Sequence, residues 1–241
     1  MEKSKFEKFV GKYNLGGSCE SVTYTVAGDS LTTRAISDDK NVLCEVTAPS
    51  MGMKDGSYSI YETKRLSSLL GVLGENLTVN VKKSGDKAVG MLFSDKNTEV
   101  TFVLADQSVI PAVPDLKKLP PFDITLVMDE QFINSFVKAK SALSEVDTFT
   151  VMSAGVDKKA DVVLGFSSLN TNRVKLTANS TEAVELKPIS FSAKYLREIL
   201  VANKDAKGGE LQISSKGIAR TSFTVDNISS TYYLVQIDTK E

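Results

Sequence analysis

The sequence predicts an α+β protein built from two similar halves, each with two helices among short antiparallel strands. Three observations predict it. Short runs of alternating apolar and polar residues recur along the chain, separated by turn residues. Four amphipathic stretches of helical periodicity interrupt them, two on each side of the midpoint. Between the halves lies SVIPAVPDLKKLPP (108–121), which holds four of the six prolines. Proline lacks a backbone donor and fixes φ, so this stretch suits neither a helix interior nor a central strand. It reads as a Pro-rich interdomain connector between an N-terminal domain, 1–107, and a C-terminal domain, 122–241.

The N-terminal half opens with a helix over about 2–13. SVTYTVAG and SLTTRAIS follow as a hairpin around Gly28-Asp29, then VLCEVTA and YSIYE as strands. A second helix covers about 62–73, and NLTVNVKK, KAVGMLFSD and TEVTFVLAD are three further strands. The C-terminal half begins with the strand DITLVM (123–128), and Asp129 is the expected N-cap of a helix at about 130–144. TFTVMSAG, ADVVLGFSS and NRVKLTAN are strands; ISFS leads into a helix at about 192–204, which the pair Gly208-Gly209 is expected to end. GELQISSKG, IARTSFTVD and STYYLVQID complete the chain, with Lys216-Gly217 at the centre of a hairpin. The order of elements repeats between the halves although residue identities do not, which marks an internal structural repeat.

Composition narrows the function. The 241 residues are 41% hydrophobic and 24% charged, the balance of a soluble globular protein. No apolar run approaches the roughly 18–20 residues of a membrane span. MEKSKFEKFVGKYNLGG alternates charges without an apolar core, so it does not read as a signal peptide. The chain has no histidine, which excludes a Ser-His-Asp triad, a Cys-His pair and a His-ligated metal. Cys19 and Cys44 are too few for a disulfide framework or a zinc site and fit a reducing compartment. No phosphate-binding loop, dinucleotide loop, cysteine cluster or calcium loop is present, so neither cofactor nor metal is expected. Ser135 and Lys138 fit the S-x-x-K pattern of Ser-Lys hydrolases, but the companion Ser-Asp-Asn and Lys-Thr-Gly elements are missing. The expectation is a protein that is not an enzyme.

The helices share one feature. In the first, Phe6, Phe9, Val10 and Tyr13 form an apolar stripe, with Lys3, Lys5, Lys8 and Lys12 assigned away from it. In the second, Leu66, Leu69, Leu70 and Leu73 face inward; Lys64 faces outward and Arg65 lies at the border. The third buries Phe132, Phe136 and Leu143 and shows Asn134, Lys138 and Ser141, with Lys140 unassigned. The fourth buries Leu196, Ile199 and Leu200 and shows Lys194, Arg197, Glu198 and Lys204. The four stretches carry +2, +1, +1 and +2, so the rest of a chain of net charge −1 carries −7. Such faces are either ordinary solvated surface or a sequence-independent contact for the phosphates of double-stranded DNA.

Two repeated halves, a proline-rich connector, basic-faced helices and an acidic remainder resemble the DNA polymerase sliding-clamp family. LTTRAISDDKNVLCEV, LSSLLGVL and VIPAVPDLKKLPPFDI are similar to the first strand-turn-strand, second helix and connector of the replication clamps of large tailed phages. Proliferating cell nuclear antigen is a more distant likeness. The resemblance implies sheets outside and helices inside, and a ring of three chains that encircles duplex DNA as a processivity factor. It implies a subunit interface between 98–106 (Val100, Phe102, Leu104) and 172–179 (Arg173, Lys175, Thr177) of the next chain. It also implies a pocket for a partner peptide at Ile36, Val42, Val109, Ile110, Val113, Leu234 and Ile237, although the same residues could simply pin the connector to its sheet. Implied partners are DNA polymerase, an ATP-dependent clamp loader and a late-transcription machinery. The implied location is cytoplasmic, in the host cell if the protein is phage-encoded. A β-rich structural or assembly protein is the alternative, and it would not require basic faces on all four helices.

Overall fold

Residues 1–116, 118–167 and 171–238 are described by a computed structural model. Position 117 of the expected connector, and 168–170 and 239–241 of the expected C-terminal half, lie outside the described residues. The chain folds as two units: Met1–Asp38, Cys44–Pro114 and Asp226–Ser230 form the first, and Asp39–Leu43, Asp115–Val225 and Thr231–Glu241 the second.

The first unit contains α1 (Lys3–Asn14), β1 (Val22–Ala27), β2 (Ser30–Ile36), β3 (Val42–Pro49, of which Val42 and Leu43 count with the second unit) and β4 (Gly56–Ile60). α2 (Thr63–Leu70), β5 (Thr78–Ser84), β6 (Lys87–Ser94) and β7 (Glu99–Val103) follow. The strands run in the orders β4-β1-β2-β3 and β5-β6-β7. The alternation read from the sequence sets the faces: in β1, Val22, Tyr24 and Val26 are buried while Thr25 and Ala27 are exposed. The β1–β2 hairpin closes with Ala27 opposite Ser30, as the Gly28-Asp29 pair predicts. α1 fills the space over both sheets with aromatic rings. Phe9 lies 5.4 Å from Tyr24 of β1, and Phe6 lies 6.0 Å from Phe93 of β6, between ring centroids. Cys19 and Cys44 are buried here as free thiols, and a hydrogen bond to Cys19 together with burial pushes the Cys44 thiol up.

The second unit contains β8 (Ile124–Asp129), α3 (Glu130–Ala142), β9 (Thr148–Ala154), β10 (Lys159–Leu164) and β11 (Val174–Asn179). β12 (Glu185–Ser192), α4 (Ala193–Ala202), β13 (Gly208–Ser214), β14 (Ile218–Val225) and β15 (Ile228–Val235, of which Ile228–Ser230 count with the first unit) complete it. The orders are β15-β14-β13-β8 and β11-β10-β9-β12. Asp129 caps α3 by accepting from the backbone N–H of Phe132 at 2.7 Å, as the sequence predicts. Ser192 caps α4 in the same way through Tyr195 N–H at 3.3 Å. Phe136 of α3 meets Phe149 of β9 edge-on at 5.5 Å, and Phe149 meets Phe191 of β12 at 5.8 Å.

Two helix ends differ from expectation: α2 stops at Leu70, short of about 73, and α4 does not use the stop expected of it. α4 stops at Ala202, well before Gly208-Gly209, because Asn203 ends it. The Asn203 amide donates to Ile199 O at 2.8 Å and to the Tyr232 hydroxyl at 2.9 Å, which ties the helix end to β15. Gly208 and Gly209 instead open β13. A Cβ on Gly209 would sit 2.6 Å from Phe223 Cε1, so the glycine serves close packing and not helix termination.

Gly155, at the end of β9, has φ +71°, and a Cβ there would lie 2.6 Å from the backbone nitrogen of Glu185. Backbone cannot move aside as a side chain can. Gly155→Ala is expected to lower stability by roughly 1–3 kcal/mol in urea unfolding. An unchanged unfolding midpoint would contradict the close approach of the β9–β10 turn to β12.

Candidate nucleic-acid interface and strand edges

Within the first unit α1 lies beside α2, and buried polar groups fix the pair. The Tyr13 hydroxyl bonds to that of Tyr24 at 2.6 Å and to Thr63 Oγ1 at 3.0 Å, and Thr63 Oγ1 donates to Glu20 O at 2.8 Å. Desolvation raises both tyrosine hydroxyls far above their ordinary range, so they stay neutral donors at any working pH. The Glu20 carboxylate accepts from the N–H of Lys64 at 2.8 Å and from the Asn14 amide at 3.1 Å. Glu75 does the same for α1, accepting from Ser4 N–H at 3.0 Å and from the Ser4 hydroxyl. Those bonds hold the Glu75 carboxyl below its usual range. These N–H groups at the starts of α1 and α2 are therefore satisfied by the protein's own acids.

The lysines differ among themselves. Lys5 and Lys8 are exposed; Lys5 pairs with Glu2 at 3.0 Å and Lys8 with Asp226. Lys3 is half-buried and donates to Leu73 O at 2.7 Å, so it closes the chain end beyond α2. Lys12 corrects the sequence reading: it is only 2% exposed. Its position flanks the apolar stripe, and Asp226 lies within its electrostatic reach. A wheel drawn for α1 alone contains no information about that neighbour. Lys64 and Arg65 on α2 are exposed, with Arg65 3.7 Å from Glu62.

In the second unit α3 lies beside α4. Lys138 is exposed alongside Asn134 and Ser141, while Ser135 is half-buried. Lys140, unassigned from sequence, is buried and donates to Ser144 O at 2.8 Å, where it caps the carbonyl end of α3. Lys194 is exposed and lies 5.4 Å from the Tyr195 ring centroid. Arg197 is half-buried and paired with Glu198. Lys204 is exposed but lies past the end of α4.

β7 pairs with β6 along one side and is an edge of its sheet among the described residues. Strand alternation corrects the expected contact residues: Val100, Phe102 and Leu104 are buried in their own unit. Beyond backbone, this edge presents Glu99, Thr101 and Val103, the last 74% exposed. A cleft of about 680 Å³ runs between α2 and β7, lined by Tyr61, Arg65, Leu69, Val103 and Val109 among others. Tyr61, Leu69 and Val103 were missed from sequence, and Val109 was assigned to the connector pocket. Val103 carried a readable signal, since it falls on the outward phase of EVTFV yet is apolar. β11 is likewise an edge strand, with Arg173, Lys175 and Thr177 exposed nearby or along it. Asp161 of β10 accepts from Lys175 at 2.8 Å and from Thr177 at 3.2 Å.

The residues expected to receive a partner peptide divide by burial. In the first unit Ile36, Ile110 and Val113 are half-buried and Val109 is exposed. The start of the connector is tied down: Arg34 donates to Pro114 O at 2.6 Å and lies 2.9 Å from Glu45. Asp106 accepts from Ser108 and pairs with Lys87, contacts that hold its carboxyl far below the usual range. In the second unit Ile237 is half-buried and donates its N–H to Ser190 O at 2.9 Å. Val42 and Leu234 are 0% and 1% exposed, and this corrects their assignment. Both lie on the inward phase of their strands, so a partner could not touch them without unpacking the core.

Two α+β units, each pairing two helices with antiparallel sheets, define the fold of the sliding clamps. No family model and no curated protein matches the sequence. Among solved structures, the proliferating cellular nuclear antigen of Entamoeba histolytica is similar to this chain with a TM-score of 0.72 and 15% identity. The match covers 98% of this chain and 96% of that one. The likeness is one of fold, carried end to end with little residue identity.

Proposed function

We propose that the chain is one subunit of a homotrimeric sliding clamp that encircles duplex DNA and tethers a DNA polymerase, with no chemistry of its own. The observation that carries this reading is the end-to-end likeness in fold to a proliferating cellular nuclear antigen. Exposed cations on helices of both units support it. On this reading Lys5, Lys8, Lys64, Arg65, Lys138, Lys194, Arg197 and Lys204 line the hole, and each supplies charge to phosphates without reading bases. The edge of β7 pairs with β11 of the next copy, and the cleft around Val103 is covered by that copy. Such a pairing would remove two exposed sheet edges, which are otherwise aggregation sites. A head-to-tail contact that closes makes a ring, and the resemblance to sliding clamps, whose rings hold about six such units, implies three chains of two units each. An ATP-dependent loader opens the ring, and Ile36, Ile110 and Val113 of the first unit remain the candidate surface for a polymerase peptide. The resemblance to phage clamps extends the proposal to a late-transcription partner and to the cytoplasm of a host cell. No helix among the described residues is long and apolar enough to cross a membrane.

Two measurements test the parts separately. Val103→Glu should leave the unfolding free energy of the isolated chain within about 0.5 kcal/mol, because the side chain is exposed. It should nonetheless shift the sedimentation coefficient from trimer to monomer, and a variant still trimeric at low micromolar concentration would refute the proposed edge. Changing Lys8, Lys64, Lys138 and Arg197 together to Glu should keep the trimer and reduce primer extension, with loader and ATP present, to that of polymerase alone. Wild-type product lengths from that quadruple variant would show that these helix faces do not meet DNA.

A further inference from the structure

The two residues between β14 and β15, Asp226 and Asn227, both have left-handed backbone, at φ 54° and 62°. That is the two-residue hairpin turn in which Asp and Asn are at home, so the turn is stiff and its carboxylate is aimed. The segment Asp226–Ser230 belongs to the first unit. With the start of α1 it frames an open cleft of about 960 Å³, lined by Met1, Glu2, Lys5, Lys8, Met51 and Asp226 among others. Asp226 Oδ2 is ion-paired with Lys8 Nζ, and the two side chains are 49% and 44% exposed.

We infer that Asp226 is a built-in competitor for the DNA backbone: it occupies Lys8 of α1 until a phosphate displaces it, and so keeps this contact weak. The inference rests on the clamp reading and names the residue that sets how tightly α1 holds DNA. Asp226 is mounted on a different segment from the helix it neutralises, so it acts as a fixed counter-charge and not as an accident of one helix face. The charge environment agrees: Lys8 holds the Asp226 carboxyl below its ordinary range, and Lys12 and Lys5 add to the effect. Lys8 makes the ion pair itself, while Lys5 is paired with Glu2 and Lys12 is buried. A phosphate arriving at Lys8 must break an ion pair already made, whereas one arriving at an unoccupied lysine need not. A ring that slides needs contacts of the first kind, because each step along the duplex breaks and remakes them.

The test is the salt dependence of binding to a short fluorescent duplex, measured by anisotropy on the full-length protein. Asp226→Asn keeps the left-handed preference of the turn while removing the charge, and a thermal melt checks that the fold is retained. Asp86→Asn, at an exposed turn between β5 and β6, is the charge-matched control. Each phosphate contact contributes about −0.9 to the slope of log K against log salt. Asp226→Asn is expected to bind several-fold more tightly at low salt and to steepen the slope by up to about 0.9. Asp86→Asn should do neither, and the gain should vanish when Lys8→Met is combined with Asp226→Asn. Equal slopes for wild type and Asp226→Asn, with salt-dependent binding intact, would overturn the inference and leave the clamp reading standing. A gain that persists without Lys8, or that Asp86→Asn reproduces, would also overturn it as a general charge effect. If neither wild type nor variant binds duplex at any salt, α1 makes no phosphate contact for Asp226 to weaken and the inference is overturned, while the clamp reading, which holds DNA by enclosure, is judged by loading onto circular DNA instead.

Discussion

One-sided burial of four short helices is the constraint on which the rest of the structure depends. Each helix must place an apolar stripe against strands, and the stripes leave little freedom. Phe6, Phe9 and Tyr13 are wholly buried in the first unit, as are Phe136, Leu196 and Ile199 in the second. Once those rings and branches are seated, the opposite faces can only be exposed, and the lysines there are placed by packing they do not take part in. Buried polar bonds then fix orientation. Tyr13, Tyr24 and Thr63 tie α1 to β1 and to the start of α2; Asn203 and Tyr232 tie the end of α4 to β15. An apolar interface tolerates small rotations, but a buried hydroxyl whose partner must lie within hydrogen-bond distance does not.

The electrostatics that result are muted. Glu2, Glu62, Glu198 and Asp226 each stand beside a cation of the candidate surface, and Glu20 and Glu75 occupy N–H groups at the starts of α2 and α1. Exposed ion pairs are individually weak and salt-sensitive, so they can be exchanged for contacts with another anion at little net cost. A surface of this kind attracts a polyanion over a distance without gripping it at any one place. On the proposed clamp reading, that suits a tether which must travel.

Much of the fold was legible in the sequence for a physical reason. Strand alternation and helix periodicity report burial directly, and Asp129 announces the start of α3 by its chemistry. What escaped the sequence were neighbours brought in from distant segments. Lys12 looks exposed on a wheel and is buried; Asp226, more than 200 residues away in sequence, became visible as a partner of α1 only in three dimensions. Gly208-Gly209 resembles a helix stop and is a packing site against Phe223. Val100 and Phe102 were assigned by the resemblance to an interface, yet their phase in β7 turns them inward, and the outward Val103 was passed over. Residues assigned from their own pattern fared better than residues assigned by likeness of position, as Val42 and Leu234 also illustrate.

Under the proposed reading, the chain holds DNA by enclosing it and not by adhesion. This is tested most directly by loading labelled protein onto nicked circular duplex with a clamp loader and ATP, isolating the complex, and cutting the circle once. The account predicts that label stays with the DNA while the circle is intact, even in high salt, and is lost when a free end is created. Retention that is equal on circular and linear DNA, or label stripped from the intact circle by salt, would contradict it.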